Sequence, residues 1–241
     1  MASRIAAIAD VHYHAGEIEP SAKRRTAIAD ELLLQAVRLI NRLIKPDVTI
    51  LLGDLIDDPS SVGAEEELVR IRGIVDLLES PVIAIPGNHD GDEERFYRIF
   101  PRPQGIIDIA GVRFVVFLDR EEPGYNARRS EADLRRMDAA RAGYTGPIVS
   151  IQHVPLFGPG SSPSPYGLTN AEDVWAAFER NRYTLALSGH YHAGDDPVAR
   201  GVGRSVIVPA LCEEPFQFVE VAVSGDDVET RRHEIAPKCA A

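Results

Sequence analysis

Five short apolar runs each lead into a residue that can bind a metal or carry a proton: IAAIA into Asp10 and His12, VTILLG into Asp54, VIAIPG into Asn88 and His89, IVSIQ into His153, and TLALSG into His190 and His192. Runs of this length and apolar density predict strands buried on both faces. In VTILLGDLIDD, Gly53 lets the backbone turn sharply, so the Asp54 carboxylate can project beyond the strand end. A lone Gly-Asp after a strand is more often a helix cap, and a lone His there is more often a satisfied structural residue. Here the pattern repeats at five strand ends and takes five of the seven histidines, so coincidence explains it poorly.

The segments between these runs have helical spacing. Helices are expected over Ala22–Ile44, stopped by Pro46, over Glu65–Leu78, over Glu131–Ala142 with Ser130 as N-cap, and over Ala171–Arg182. Strands alternating with helices predict a largely parallel sheet with right-handed crossovers. Gly105–Ile109 and Val112–Leu118 flank Ala110-Gly111 as a hairpin, and Val206–Pro209, Phe216–Val223 and Val228–Glu234 read as closing strands forming the second sheet of a sandwich. The Gly-, Pro- and Ser-rich segment 155–170 reads as an ordered loop over a site.

At 241 residues the chain is long enough for one large core, and no stretch reads as a linker, so a single domain spanning 1–241 is expected. The net charge of -11 argues against holding nucleic acid by phosphate neutralisation. The apolar run before Asp10 is too short for a signal peptide, and no segment approaches the roughly 18 apolar residues of a membrane helix. A cytoplasmic protein without a membrane partner is therefore expected. Cys212 and Cys239 are far apart, which suggests a core filler and a tail thiol rather than a disulfide or thiolate zinc site.

In open α/β sheets the strand ends converge on one crevice, so the five polar ends can share one site. They offer imidazole, carboxylate and amide oxygen but no thiolate, which suits Mn, Fe, Co, Ni or Zn. There are too many ligands for one ion. Two metals about 3.5–4 Å apart, bridged by a carboxylate and a hydroxide, form an arrangement suited to in-line attack on phosphorus.

The series D-x-H, G-D-x-x-D, G-N-H-D, H, G-H-x-H, spread over residues 5 to 192, resembles the calcineurin-like metallophosphoesterase family. The resemblance implies a four-layer αββα sandwich with two mixed sheets flanked by helices. It makes Asp10, His12 and His192 ligands of one divalent transition-metal ion, Asn88, His153 and His190 ligands of the second, and Asp54 the bridge. It also makes His89 a catalytic residue facing the phosphate and leaving group, with Asp90 hydrogen-bonded to it. Two divalent ions, two carboxylates and one hydroxide leave about +1 of charge, which welcomes a phosphate ester. Asp57 stands where the purple acid phosphatase branch has a ligating tyrosine, so no tyrosinate charge-transfer band is expected.

The activity implied is hydrolysis of a small-molecule phosphoester, nucleotides included, by a metal-bridging hydroxide, with protonated His89 as general acid. Arg120, Arg128, Arg129, Tyr125 and Tyr166 are candidates for substrate contact. His14 reads as a loop residue, and His233 has no role. The alternatives are a phosphodiesterase of cyclic nucleotides or nucleic-acid ends, and, in a different class, a non-catalytic protein-binding scaffold of the same fold.

Overall fold

The computed structural model describes residues 2–16, 23–157, 164–201 and 203–236. Cys239 and the middle of the 155–170 loop lie outside them. Through the first hundred residues strands and helices alternate: β1 (Ser3–Ile8), α1 (Ala29–Leu39), β2 (Val48–Leu51), α2 (Ala64–Val75), β3 (Val82–Ala84) and α3 (Glu93–Ile99). A meander follows, with β4 (Ile106–Ile109), β5 (Val112–Val116), β6 (Arg120–Glu122) and β7 (Asn126–Arg128). Then come α4 (Glu131–Arg141), β8 (Ile148–Ile151), α5 (Ala171–Arg180), β9 (Leu185–Ser188), β10 (Asp195–Arg200), β11 (Gly203–Ile207), β12 (Gln217–Ser224) and β13 (Asp227–Glu234).

Two mixed sheets form, ordered β13-β12-β1-β2-β3 and β10-β11-β9-β8-β5-β4, with β6-β7 as a separate ribbon. The parallel pairs β1–β2–β3 and β5–β8–β9–β11 bring the carboxyl ends of the central strands to one edge. Alternate residues of β1 face opposite cores, as strand geometry requires. Ile5, Ala7 and Ala9 meet Phe114, Val149, Ile151 and Leu187 between the sheets. Ala6 and Ile8 lie under α1 and α2 with Leu32, Leu33, Leu68 and Ile71. A third core puts Met137, Trp175 and Phe178 of α4 and α5 against the outer face of the second sheet. The layers are thus helix, sheet, sheet, helix, and each buried Ile or Leu contributes on the order of 1.5–3 kcal/mol.

The Ala110-Gly111 hairpin forms with both turn residues left-handed (φ 48° and 79°), the twist that two-residue turns need. Ser130 caps α4 by accepting from the Asp133 N–H at 3.0 Å. The first helix differs from expectation. It opens with a 3₁₀ turn at Thr26–Ile28 and widens into a π turn at Ile40–Ile44, where the Lys45 N–H donates to the Ile40 carbonyl at 2.9 Å.

The closing strands do not form a sheet of their own. β12 pairs antiparallel with β1 and carries β13 with it, so both extend the first sheet, while β11 joins β9 in the second. The physical reason is that β1 has an open edge opposite β2, and the alternating QFVEVAVS pattern of β12 puts Phe218 in the core under the helices and Val219, Val221 and Val223 between the sheets. Cys212 is buried in the core, as expected of a filler.

Candidate metal centre

The loops that leave β1, β2, β3, β8 and β9 all turn at the same edge. Asp10, His12, Asp54 and His190 have left-handed backbones, with φ of 54°, 48°, 54° and 67°. Such conformations cost on the order of 1–3 kcal/mol each and persist where the surrounding structure enforces them. Gly53 (φ 93°) and Gly87 let the β2 and β3 ends touch: a Cβ at Gly53 would lie 2.8 Å from the Gly87 Cα, and one at Gly87 2.6 Å from the Asp54 nitrogen. The Gly-Asp and Gly-Asn motifs are therefore conditions of close approach as well as turns.

All seven predicted ligand residues meet there. Asp10, His12 and His192 form one group whose donor atoms lie within 4.8 Å of one another, and Asp54, His153 and His190 form another. Asn88 Oδ1 lies 3.1 Å from His153 Nε2. Asp54 Oδ2 stands between the groups, 3.5 Å from His12 Nε2 and 3.4 Å from His153 Nε2.

Each imidazole has its other nitrogen committed to an oxygen. His12 Nδ1 faces Asp57 at 3.0 Å, His192 Nδ1 faces Glu213 at 2.7 Å, His153 Nδ1 donates to the Leu52 carbonyl at 2.6 Å, and His190 Nε2 donates to the Tyr125 carbonyl at 2.9 Å. The remaining nitrogens then present lone pairs to one another, 3.2 Å apart for His12 and His192 and 3.1 Å for His153 and His190. Two ring nitrogens at that distance need a positive charge between them, a proton or a metal ion, and fixing the distal nitrogen is how proteins orient metal-binding imidazoles. The donor set therefore fits two divalent ions.

The titratable groups of the site also shift one another strongly. Burial pushes the Asp54 carboxyl up, but His153 and then His12 and His89 outweigh it and hold it well below the usual carboxylate range. Burial lowers the His153 imidazole, yet Asp54 beside it raises it to about 10. His190 is pushed down to about 4 by burial and by His153. For Asp57, burial is outweighed by His12 and Arg24, and its carboxyl falls to about 2.

His89 lies edge-on to His12, with ring centroids 4.7 Å apart, and its N–H donates to Asp54 Oδ1 at 2.8 Å. Its Nδ1 is held by the Asp57 carbonyl at 2.5 Å, which leaves Nε2 for the cleft that the residue lines. Asp90 does not take the expected bond to His89. Its carboxylate accepts from three buried main-chain N–H groups, Leu55 at 2.7 Å, Ile56 at 3.1 Å and Gly87 at 2.8 Å, and burial together with Asp54 raises it to about 7. It thus ties the β2 loop to the β3 loop, which makes it a positioning residue.

A cleft of about 1160 Å³ opens over the site, lined on one side by Tyr125, Tyr166 and Tyr191 and on another by Lys23, Arg24 and Glu213. Tyr166 packs edge-on to His190, centroids 4.7 Å apart. Arg129, expected at the substrate, is instead buried and pairs with Asp119 through Nε and Nη2, while Nη1 faces the Met137 sulfur in the core. Arg120 and Arg128 lie on the exposed ribbon and do not line this cleft, but Arg120 lines a smaller adjoining cavity together with Asn88 and His153. Sequence reasoning missed Arg24, which bonds Asp57 at 2.9 Å, and Glu213 behind His192. His14 pairs with Glu67, and His233 with Glu220, away from the centre.

The sequence model of the family described as calcineurin-like phosphoesterase matches residues 3–194. A probable cyclic nucleotide phosphodiesterase of Synechococcus is 28% identical over 201 residues, covering 80% of this chain and 74% of its own. Among solved structures, a dimetal phosphatase from Danio rerio superposes with a TM-score of 0.73 at 17% identity, covering 97% of this chain and 99% of that one. A purple acid phosphatase from yellow lupin seeds gives 0.67 at 14% identity, covering 97% of this chain and 52% of that one. No helix among the described residues is long and apolar enough to cross a membrane.

Proposed function

The chain belongs to the calcineurin-like phosphoesterase family and is a metal-dependent hydrolase of phosphoesters; from that premise we propose that Asp10, His12 and His192 hold one ion, that Asn88, His153 and His190 hold the other, and that Asp54 bridges them. The observation that carries this reading is the pair of facing imidazole couples at 3.2 and 3.1 Å with the Asp54 carboxylate between them. Bound there, two divalent ions supply Lewis acidity and lower the pKa of the attacking water. The set of nitrogen and oxygen donors suits Mn, Fe, Zn, Co or Ni.

The chain's own residues do the rest. Asp54 and Asp10 supply the negative charge that assembles the centre, and neutral Asn88 preserves a positive surplus for the phosphate anion. His89, fixed through Nδ1 by Asp57, presents Nε2 to the departing oxygen and donates its proton there. Asp90 keeps the Gly87 turn in place so that Asn88 and His89 stay aimed at the same point. We propose that the described residues form one domain and that the protein works in the cytoplasm; cell fractionation checks the latter.

The first reading is hydrolysis of small phosphomonoesters or phosphodiesters. A second, supported by the similarity to the probable cyclic nucleotide phosphodiesterase of Synechococcus and by the tyrosine-lined cleft, is a cyclic-nucleotide or nucleic-acid-end phosphodiesterase. A panel of p-nitrophenyl phosphate, bis-p-nitrophenyl phosphate and cyclic nucleotides, run with Mn²⁺, Zn²⁺ and Ni²⁺, separates them. Absence of turnover on every ester with every metal would leave the scaffold reading and contradict this one.

A further inference from the structure

The backing behind the two imidazole couples is unequal. His12 and His192 rest against carboxylates, Asp57 at 3.0 Å and Glu213 at 2.7 Å. His153 and His190 rest against main-chain carbonyls, Leu52 at 2.6 Å and Tyr125 at 2.9 Å. Both kinds of partner orient the ring. Only a carboxylate also adds negative charge behind it and makes its free nitrogen a stronger donor. The same set contains Asp10, whereas the opposite set has the neutral Asn88 in the corresponding place.

Glu213 lies beyond the last motif, and tertiary structure alone brings it in. The segment after β11 is stitched to the strand-end loops: the Ala210 N–H donates to the His192 carbonyl at 3.0 Å, and the Leu211 N–H to the Ala9 carbonyl at 3.0 Å. That stitching sets the Glu213 carboxylate against His192 Nδ1. Asp57 is shared with Arg24, whose guanidinium offsets part of its charge at 2.9 Å. Glu213 also feels the charges of Lys23 and Arg24, and its carboxylate meets His192 at 2.7 Å.

We propose that Glu213 is a positioning residue which, with Asp57, makes Asp10, His12 and His192 the tighter of the two metal positions. This rests on the ligand assignment proposed above. Partners of this kind are worth about 10–100-fold in metal affinity.

Equilibrium dialysis of the full chain against buffered Zn²⁺, with bound metal counted by mass spectrometry, reads both affinities without any turnover. Glu213→Gln keeps an oxygen for the His192 N–H but removes the charge. It should weaken the tighter equivalent about 10–100-fold and leave the weaker one unchanged. Glu214→Gln, at the neighbouring carboxylate that pairs with Arg25 at 3.2 Å on the exposed side, should change neither. A Glu213→Gln curve that moves only the weaker equivalent, neither, or both alike overturns the proposal. Wild-type protein that takes up no metal overturns the ligand assignment itself, so the two failures are distinguishable.

Discussion

Replacing Arg129 by Met removes a cation that the polar character of its surrounding segment places on the surface and the structure places in the core. Its side chain is 0% exposed, and it donates to the two oxygens of Asp119 at 2.9 and 2.8 Å and to Gln152 at 3.3 Å. Its guanidinium also lies 3.7 Å from the centre of the Phe117 ring. The substitution leaves the Asp119 carboxylate, 3% exposed, without its counter-charge. Breaking a buried pair in this way costs about 3–5 kcal/mol, against at most about 0.5 kcal/mol for a surface arginine. At roughly 2–4 °C per kcal/mol for a chain of this size, the melting temperature should fall by about 6–20 °C. A thermal melt of the metal-loaded protein measures this, and kinetics well below the transition should show kcat and KM near wild type, because Arg129 does not line the cleft. Arg129→Met combined with Asp119→Leu should recover much of the loss, since no lone charge is then buried. An unchanged melting temperature together with a raised KM would put Arg129 on the substrate rather than in the core.

His89→Ala should keep both metals and lose about 10²–10⁴-fold in activity, more on alkyl or ribose phosphates than on nitrophenyl esters, because a proton matters most to a poor leaving group. Equal losses on all esters would point to phosphate positioning instead. Gly87→Ala would place a methyl group 2.6 Å from both the Asp54 nitrogen and the His153 ring, so it should lower metal content as well as rate. Metal analysis showing two full equivalents in that variant would mean that the β2 and β3 ends need not touch.

The strands that carry the site were legible because they are buried on both faces, which leaves an unbroken apolar run in the sequence and a visible stop where the ligands begin. The seven residues at the strand ends, and His89, could be located for the same reason, while the roles proposed for them come from the resemblance. What surrounds them could not. The β6–β7 ribbon is written REEPGYNAR, with no alternation to betray a strand, and it depends on a turn with Gly124 and Tyr125 left-handed (φ 82° and 61°) and on a bridge from Ala127 to Leu168. Its useful atom is the Tyr125 carbonyl, which no side-chain pattern announces. The bond from Asp90 to His89 that the resemblance implies is not made, because three main-chain N–H groups, two from the β2 loop and one from the turn of Asp90 itself, claim its carboxylate first. Arg24 and Glu213 reach the centre from outside the motifs, through chain geometry fixed only when β12 closes the first sheet. The placement of β12 and β13 was ambiguous in sequence because an alternating strand fits either sheet, and only the free edge of β1 decides it.

One carboxylate, Asp54, is proposed to join two metal positions in a single catalytic centre. Asp54→Asn preserves shape and removes the charge that stands 3.5 Å from His12 and 3.4 Å from His153. Counting metal per chain in the purified variant and measuring its rate on bis-p-nitrophenyl phosphate tests the claim in one preparation. Metal occupancy and activity should fall together. A folded Asp54→Asn protein that still holds two equivalents and hydrolyses the ester at the wild-type rate would contradict it.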